Sequence, residues 1–177
     1  SLSTVLRRFE QVRQQLESEG LLDPAQRRPL PQRPSCIAIL TSVPSSALAD
    51  LLRTANQRWP ACALRVVAIP VQGDVEERIC AVLDQLEAQW QSLGIEAVVL
   101  ARGGGSREDL SVFDGEQLAR ALLRCPVPVV SGIGHEDDVT IADLAADYRA
   151  ATPTAAMVAL LPDREQEQRL LDERGLH

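Results

Sequence analysis

Apolar residues recur along this chain in two alternating rhythms. At the start, Leu2, Val5, Leu6, Phe9, Val12 and Leu16 fall at helical spacing in one narrow stripe, and Gly20 stops the run. That spacing predicts a helix over residues 2–19. A connector over 21–34 follows, where Pro24, Pro29, Pro31 and Pro34 forbid a central strand or a continued helix. From residue 35, short apolar runs alternate with amphipathic stretches. Residues 36–40 read as a strand, and 45–58 as a helix with Leu48, Leu51, Leu52 and Ala55 on one face. A second strand over 64–71 precedes a helix over 75–93, with Val75, Ile79, Val82, Leu83, Leu86 and Trp90 inward, Asp74 as cap and Gly94 as stop. Residues 95–101 form a third predicted strand. A helical stretch broken near Gly115 then runs to Arg124, and 128–133 form a fourth strand. Thr152-Pro153 caps an apolar helical stretch over 155–161. The charged tail over 163–174 reads as an exposed helix or the start of a longer coiled arm.

Continuously apolar strands alternating with helices predict an α/β fold in three layers, a mainly parallel sheet with helices on both faces. The expected division is an N-terminal helix and connector (1–34), an α/β domain (35–161) and a charged helical tail (162–177). In such sheets ligands bind beyond the carboxyl ends of the strands. The loops there are 41–46, 71–74, 102–106 and 134–138, and polar residues and glycines concentrate in them.

Composition narrows the function classes. The 177 residues are 45% hydrophobic and 24% charged, an ordinary globular balance. No run of about 18 apolar residues occurs and the first twenty lack an apolar signal core, so neither a membrane span nor secretion is expected. All 18 basic residues are arginine against 25 acids, a formal net charge of −7. A domain gripping nucleic acid over its whole surface would be basic, so any such contact here is local. Aromatics (Phe9, Trp59, Trp90, Phe113, Tyr148) are too scattered for a base-stacking platform. Cys36, Cys62, Cys80 and Cys125 are far apart in sequence, with no Cys-x-x-Cys pair, and read as buried reduced thiols of a cytoplasmic protein.

Two motifs carry candidate chemistry. In Arg102-Gly103-Gly104-Gly105-Ser106, glycines let the backbone approach a ligand and aim N–H groups at it. A helix start capped by Ser106 would add partial positive charge, and Arg102 supplies a planar fork for phosphate oxygens. The bland alternative is a tight turn with a surface arginine; the spacing is neither a dinucleotide nor a P-loop motif. In Gly134-His135-Glu136-Asp137-Asp138, the imidazole can move a proton near neutral pH and an adjacent carboxylate can orient it. Three consecutive acids could instead bind a divalent cation, or merely favour a helix N-terminus. His177 is the chain terminus, leaving His135 as the imidazole catalyst. Asp50 falls in the first α/β helix, away from the apolar stripe, and reads on pattern alone as a solvated residue.

The strings Ala101-Arg-Gly-Gly-Gly-Ser-Arg-Glu-Asp-Leu110, Gly134-His-Glu-Asp-Asp-Val-Thr-Ile-Ala-Asp143 and Arg149-Ala-Ala-Thr-Pro-Thr154 resemble the catalytic-domain signatures of the exodeoxyribonuclease VII large subunit. Gly20-Leu-Leu-Asp-Pro24, Pro29-Leu-Pro31, Ile39-Leu-Thr-Ser42 and Val71-Gln-Gly73 agree in order and spacing. The resemblance implies a nuclease that cuts single-stranded DNA from either end into oligonucleotides. It maps activity-linked positions onto Arg102, His135, Asp138 and, by ungapped spacing alone, Asp50. Full-length members carry an N-terminal OB-fold and a long C-terminal coiled region that engages small subunits, so the chain resembles the catalytic core. Some members work without added metal, so no cofactor is required on this reading, while the acid cluster leaves Mg²⁺ open. One departure is Pro44-Ser-Ser-Ala47, where members often have Thr-Gly-Ala-Ala. The rival reading is a non-catalytic α/β module that holds a nucleotide or phosphorylated small molecule at the same loops.

Overall fold

Period-two alternation decides which side of a sheet each strand residue faces, and here it feeds two separate cores. The structure is a computed structural model that describes residues 1–175, so Leu176 and His177, the last two positions of the expected tail, lie outside the described residues. Five parallel strands run in the order β2-β1-β3-β4-β5: β1 Cys36–Thr41, β2 Ala63–Ala68, β3 Val98–Ala101, β4 Val129–Gly132 and β5 Tyr148–Arg149. The register pairs Leu40 with Leu100, Leu100 with Ser131, and Ser131 with Arg149. On one face Ile37, Ile39, Val99 and Val130 pack with Leu51 and Ala55 of α2 (Ser46–Arg58) and with Ala156, Met157 and Leu160 of α6 (Pro153–Leu160). On the other, Ala38, Leu40, Val98, Leu100 and Val129 meet α3 (Val75–Leu93), α4 (Glu116–Arg124) and α5 (Ile141–Ala145). The expected α/β class with helices on both faces is the observed one.

The ends of the elements follow local chemistry. Ser45, Thr152 and Asp163 cap α2, α6 and the exposed α7 (Arg164–Glu173) with side-chain oxygens, and Gly94 ends α3 in the left-handed conformation at φ 69°. Asp74 takes the cap position of α3 but its side chain accepts no capping bond. The N-terminal α1 (Leu2–Ser18) packs against α5 and buries Leu16 completely in the core cluster that α3, α4 and α5 share, while Leu2 and Leu6 stay exposed. Arg28 fastens the connector: its backbone amide and Nε donate to Asp147 Oδ1 at 2.7 and 3.1 Å, and its Nη2 donates to Leu122 O at 3.0 Å.

Several expectations are corrected. β2 is an edge strand and is not covered on both sides; Val66 is 39% exposed, and the strand stops at Ala68. β3 begins at Val98, three residues later than its apolar run, although Ile95 and Ala97 are buried. The apolar face of α2 is Ala47, Leu51, Thr54 and Ala55, with Leu52 exposed, because the sheet lies under that side of the helix. All four cysteines are free; Cys36, Cys62 and Cys125 are buried, Cys80 is half-buried, and burial pushes the Cys62 thiol up to about 11.

Gly132 ends β4 where backbone segments nearly touch. A Cβ there would meet the Thr152 carbonyl oxygen at 2.7 Å, its carbon at 3.0 Å and Pro153 Cα at 3.2 Å. Because backbone cannot swing aside, Gly132→Ala is expected to destabilise the protein by about 1–3 kcal/mol. Urea unfolding of the full-length protein checks this, with a lowered midpoint and an unchanged slope.

Candidate functional site

Four loops gather at the carboxyl edge of the sheet, and the glycine loop forms their floor. Arg102 directly follows β3, its amide donating to Gly132 O at 3.1 Å, so β4 sets the loop's starting point. Each of the next three residues faces one polar group. A Cβ on Gly103 would lie 3.7 Å from Ser46 Oγ, and one on Gly104 would lie 3.8 Å from His135 Nε2. At Gly105 a Cβ would collide with the Arg102 guanidinium, whose Cζ would be 3.3 Å away. The side chain of Arg102 thus folds back over its own loop into the space left by the missing Cβ of Gly105. Arg102 and His135 are brought to neighbouring glycines of one loop, with the His135 residue exposed and two of the guanidinium nitrogens buried.

Arg102 is held ready and is not used internally. Its Nε and Nη1 are buried and make no hydrogen bond among the described residues, nor does any carboxylate there pair with it. Buried donors without acceptors are costly and rare, so two on one guanidinium call for an anionic partner. The amides of Gly103, Gly104 and Gly105 are likewise without bonds to the described protein groups. Ser106 is different: its hydroxyl accepts from Asp109 N at 3.1 Å while its amide donates to Asp109 Oδ2 at 3.2 Å. The element it opens is a 3-10 turn, Asp109–Phe113, and a regular helix starts only at Glu116. The expected helix-dipole contribution at this loop is therefore absent, and Arg102 with the three glycine amides supplies the positive potential.

The histidine loop is pinned from behind. Gly134 lies so close to the Asp138 carbonyl that a side chain has no space, and Asp138 N donates to His135 O at 2.9 Å, closing a tight turn. Arg149, on β5, donates to the carbonyls of Gly134 and Glu136 at 3.3 Å each and to that of His135. Asp143, buried, stands 3.7 Å from Arg149 Nε; it accepts from Ser131 Oγ at 2.7 Å and from the Thr140 amide and hydroxyl at 2.9 Å each. The His135 ring itself is exposed. Arg149→Ala is expected to speed amide hydrogen exchange at residues 134–138 while β1, β3 and β4 keep their protection.

A second link ties the two loops together. Arg107 donates to the Asp114 carboxylate at 2.9 Å, and Asp114 Oδ1 accepts from Ile141 N at 3.1 Å, at the start of α5. Burial raises the Asp114 carboxyl above its ordinary range, with the Arg107 charge opposing the shift.

The carboxylates are less tightly placed. The Asp138 side chain makes no hydrogen bond to the His135 ring; with Asp137 and Arg107 it lines a groove of about 330 Å³ beneath Leu2, Leu6 and Phe9 of α1. Asp50 pairs with Arg53 on the surface of α2 and is 41% exposed. It lies one helical turn beyond Ser46 on α2, and its carboxylate is engaged by Arg53 and not by the glycine loop. Glu136 and Asp137 are exposed, and no three His, Cys, Asp or Glu side chains among the described residues converge as a cation cage. Sequence reasoning assigned no role to Arg149, Arg107, Asp114 or Asp143. Only Thr140-x-x-Asp143 offered a local signal, the spacing of a capping box.

Comparison with known proteins agrees with this arrangement. The family described as "Exonuclease VII, large subunit" matches residues 21–176. The exodeoxyribonuclease 7 large subunit of Synechococcus sp. (strain CC9605) is 64% identical over 98% of this chain and 45% of that protein. Those of Thioalkalivibrio sulfidiphilus and Mycobacterium leprae are 44% and 41% identical over 95% and 97% of this chain, and 39% and 40% of theirs. The chain spans less than half the length of these curated relatives. With a match over nearly its whole length, and with Arg102 and His135 standing together at the carboxyl edge of a parallel sheet, the chain belongs to the exonuclease VII large-subunit family.

Proposed function

We propose that this chain is the catalytic core of an exodeoxyribonuclease that hydrolyses phosphodiester bonds of single-stranded DNA from either end, releasing oligonucleotides. The observation that carries the reading is the meeting of two unused, buried Arg102 donors with His135 Nε2 over one glycine loop. A backbone phosphate set there gives Arg102 and the glycine amides its non-bridging oxygens. As water adds to phosphorus, negative charge grows on those oxygens, and fixed donors stabilise it without reorganising. His135 passes a proton to the departing oxygen or takes one from the water. Asp138, on the same turn, orients the imidazole once a strand is bound, and the role assigned to Asp50, once released from Arg53, is to position the water. Asp138→Asn retains the backbone bond to His135 and removes only the charge, so it isolates the carboxylate's share.

The name of the relatives, a large subunit, supports an assembly with a smaller partner, engaged through a region beyond this chain. The net charge of −7 fits a core that meets DNA only locally. Among the described residues no helix is long and apolar enough to cross a membrane, and we place the protein in the cytoplasm with its DNA substrate. The Arg and His chemistry needs no metal, and Mg²⁺ assistance would require Glu136, Asp137 and Asp138, which do not converge here, to regroup around bound DNA.

A chelator-controlled nuclease assay on the full-length assembly tests this. End-labelled single-stranded DNA is expected to yield oligonucleotides with EDTA present. Saturable nucleotide binding without release would favour a binding module, and activity that vanishes with EDTA and returns with Mg²⁺ would show metal assistance.

A further inference from the structure

We infer that Ser46 is a substrate-binding residue: its hydroxyl donates to the non-bridging oxygen of the scissile phosphate opposite the one held by Arg102. The inference rests on the nuclease reading above and assigns a third group to the same site. Three consecutive glycines face three polar side chains from three separate elements: Ser46 of α2, His135 of the β4–α5 loop, and Arg102 after β3. Gly103 and Gly105 are two residues apart, so their Cα atoms are separated by no more than about 7 Å. Groups seated over those ends, each reaching about 2.8 Å to an acceptor, can hold different oxygens of one phosphate, with His135 between them.

Ser46 has no structural employment that would explain it. Capping of α2 falls to its neighbour: Ser45 Oγ accepts from Leu48 N at 3.1 Å and donates to Ser42 O at 2.7 Å. The Ser46 hydroxyl makes no hydrogen bond among the described residues and is exposed. Thr41, fully buried at the end of β1, also has an unpartnered hydroxyl. It shares the parity of Ile37 and Ile39, so it lies on the α2 side of the sheet. The corner between β1 and α2 therefore holds more hydrogen-bonding capacity than the protein itself consumes. The amides of Ser46 and Ala47, in the first turn of a 13-residue helix, add donors there.

Ser46→Ala and Ser46→Thr in the full-length assembly, assayed on single-stranded oligonucleotides, test this. Alanine is expected to lower kcat/KM by about tenfold, the loss of one hydrogen bond to a charged group, with Tm unchanged, and threonine to recover part of it. A structural role would not produce the second signature. Sulfur in place of the non-bridging oxygen assigned to Ser46 should slow the wild type, and Ser46→Ala should abolish that slowing while keeping the slowing by sulfur at the oxygen held by Arg102. The inference is overturned if Ser46→Ala cleaves within twofold of wild type, or loses activity yet is slowed by sulfur at the assigned oxygen as the wild type is, while Arg102→Ala and His135→Ala remain crippled. If those two variants also cleave normally, the nuclease reading itself has failed and this inference falls with it.

Discussion

Replacing His135 with alanine should reduce cleavage of single-stranded DNA by the full assembly about 10²- to 10⁴-fold, the usual share of a positioned general acid or base. The fold should not suffer. The ring is exposed and makes no hydrogen bond among the described residues, and the turn is held by backbone bonds to Asp138 N and Arg149. Adding imidazole to the buffer should restore part of the lost turnover, because the cavity left over Gly104 opens to solvent. Rescue by imidazole but not by a similar-sized molecule without a titratable nitrogen would identify a proton-transfer role. Full activity without His135 would remove it from the mechanism.

Arg102→Ala should be comparably severe, about 10²- to 10³-fold in kcat, the cost of removing a preorganised donor set from growing negative charge. Lysine should recover little of it, since a single ammonium cannot reproduce the planar fork. Stability should move the other way. Two Arg102 donors are buried without acceptors, a condition that costs about 1–3 kcal/mol per orphaned group. Arg102→Ala is therefore expected to hold or raise the melting temperature while eliminating activity. An arginine kept for structure would instead lower the melting temperature in proportion to the lost rate.

Much of this architecture is written in local periodicity. Four of the five strands are apolar runs, and residues of opposite parity along them, Ile37 and Ile39 against Ala38 and Leu40, feed the two cores. Helix ends were equally readable where one residue type decides them, as with Thr152 before Pro153 and the left-handed Gly94. What escaped lacks a period. β5 is two residues long and α5 five, too short to display one. The 3-10 turn after Ser106 resembles a helix start in sequence because the same capping chemistry serves both. At the site, the Arg102 and His135 motifs were legible as short strings at strand ends. The contacts that hold their loops, Asp114 with the Ile141 amide 27 residues on and Arg149 with carbonyls 13 to 15 residues away, depend on tertiary approach that no apolar period or capping signal announces.

The most direct measurement is a structure of the full-length assembly with a single-stranded oligonucleotide trapped by the His135→Ala variant. One backbone phosphate should lie over residues 103–105, within hydrogen-bond distance of Arg102 Nε or Nη1 and facing the space vacated at position 135. A strand running across another face, with the Arg102 donors still unoccupied, would contradict the account.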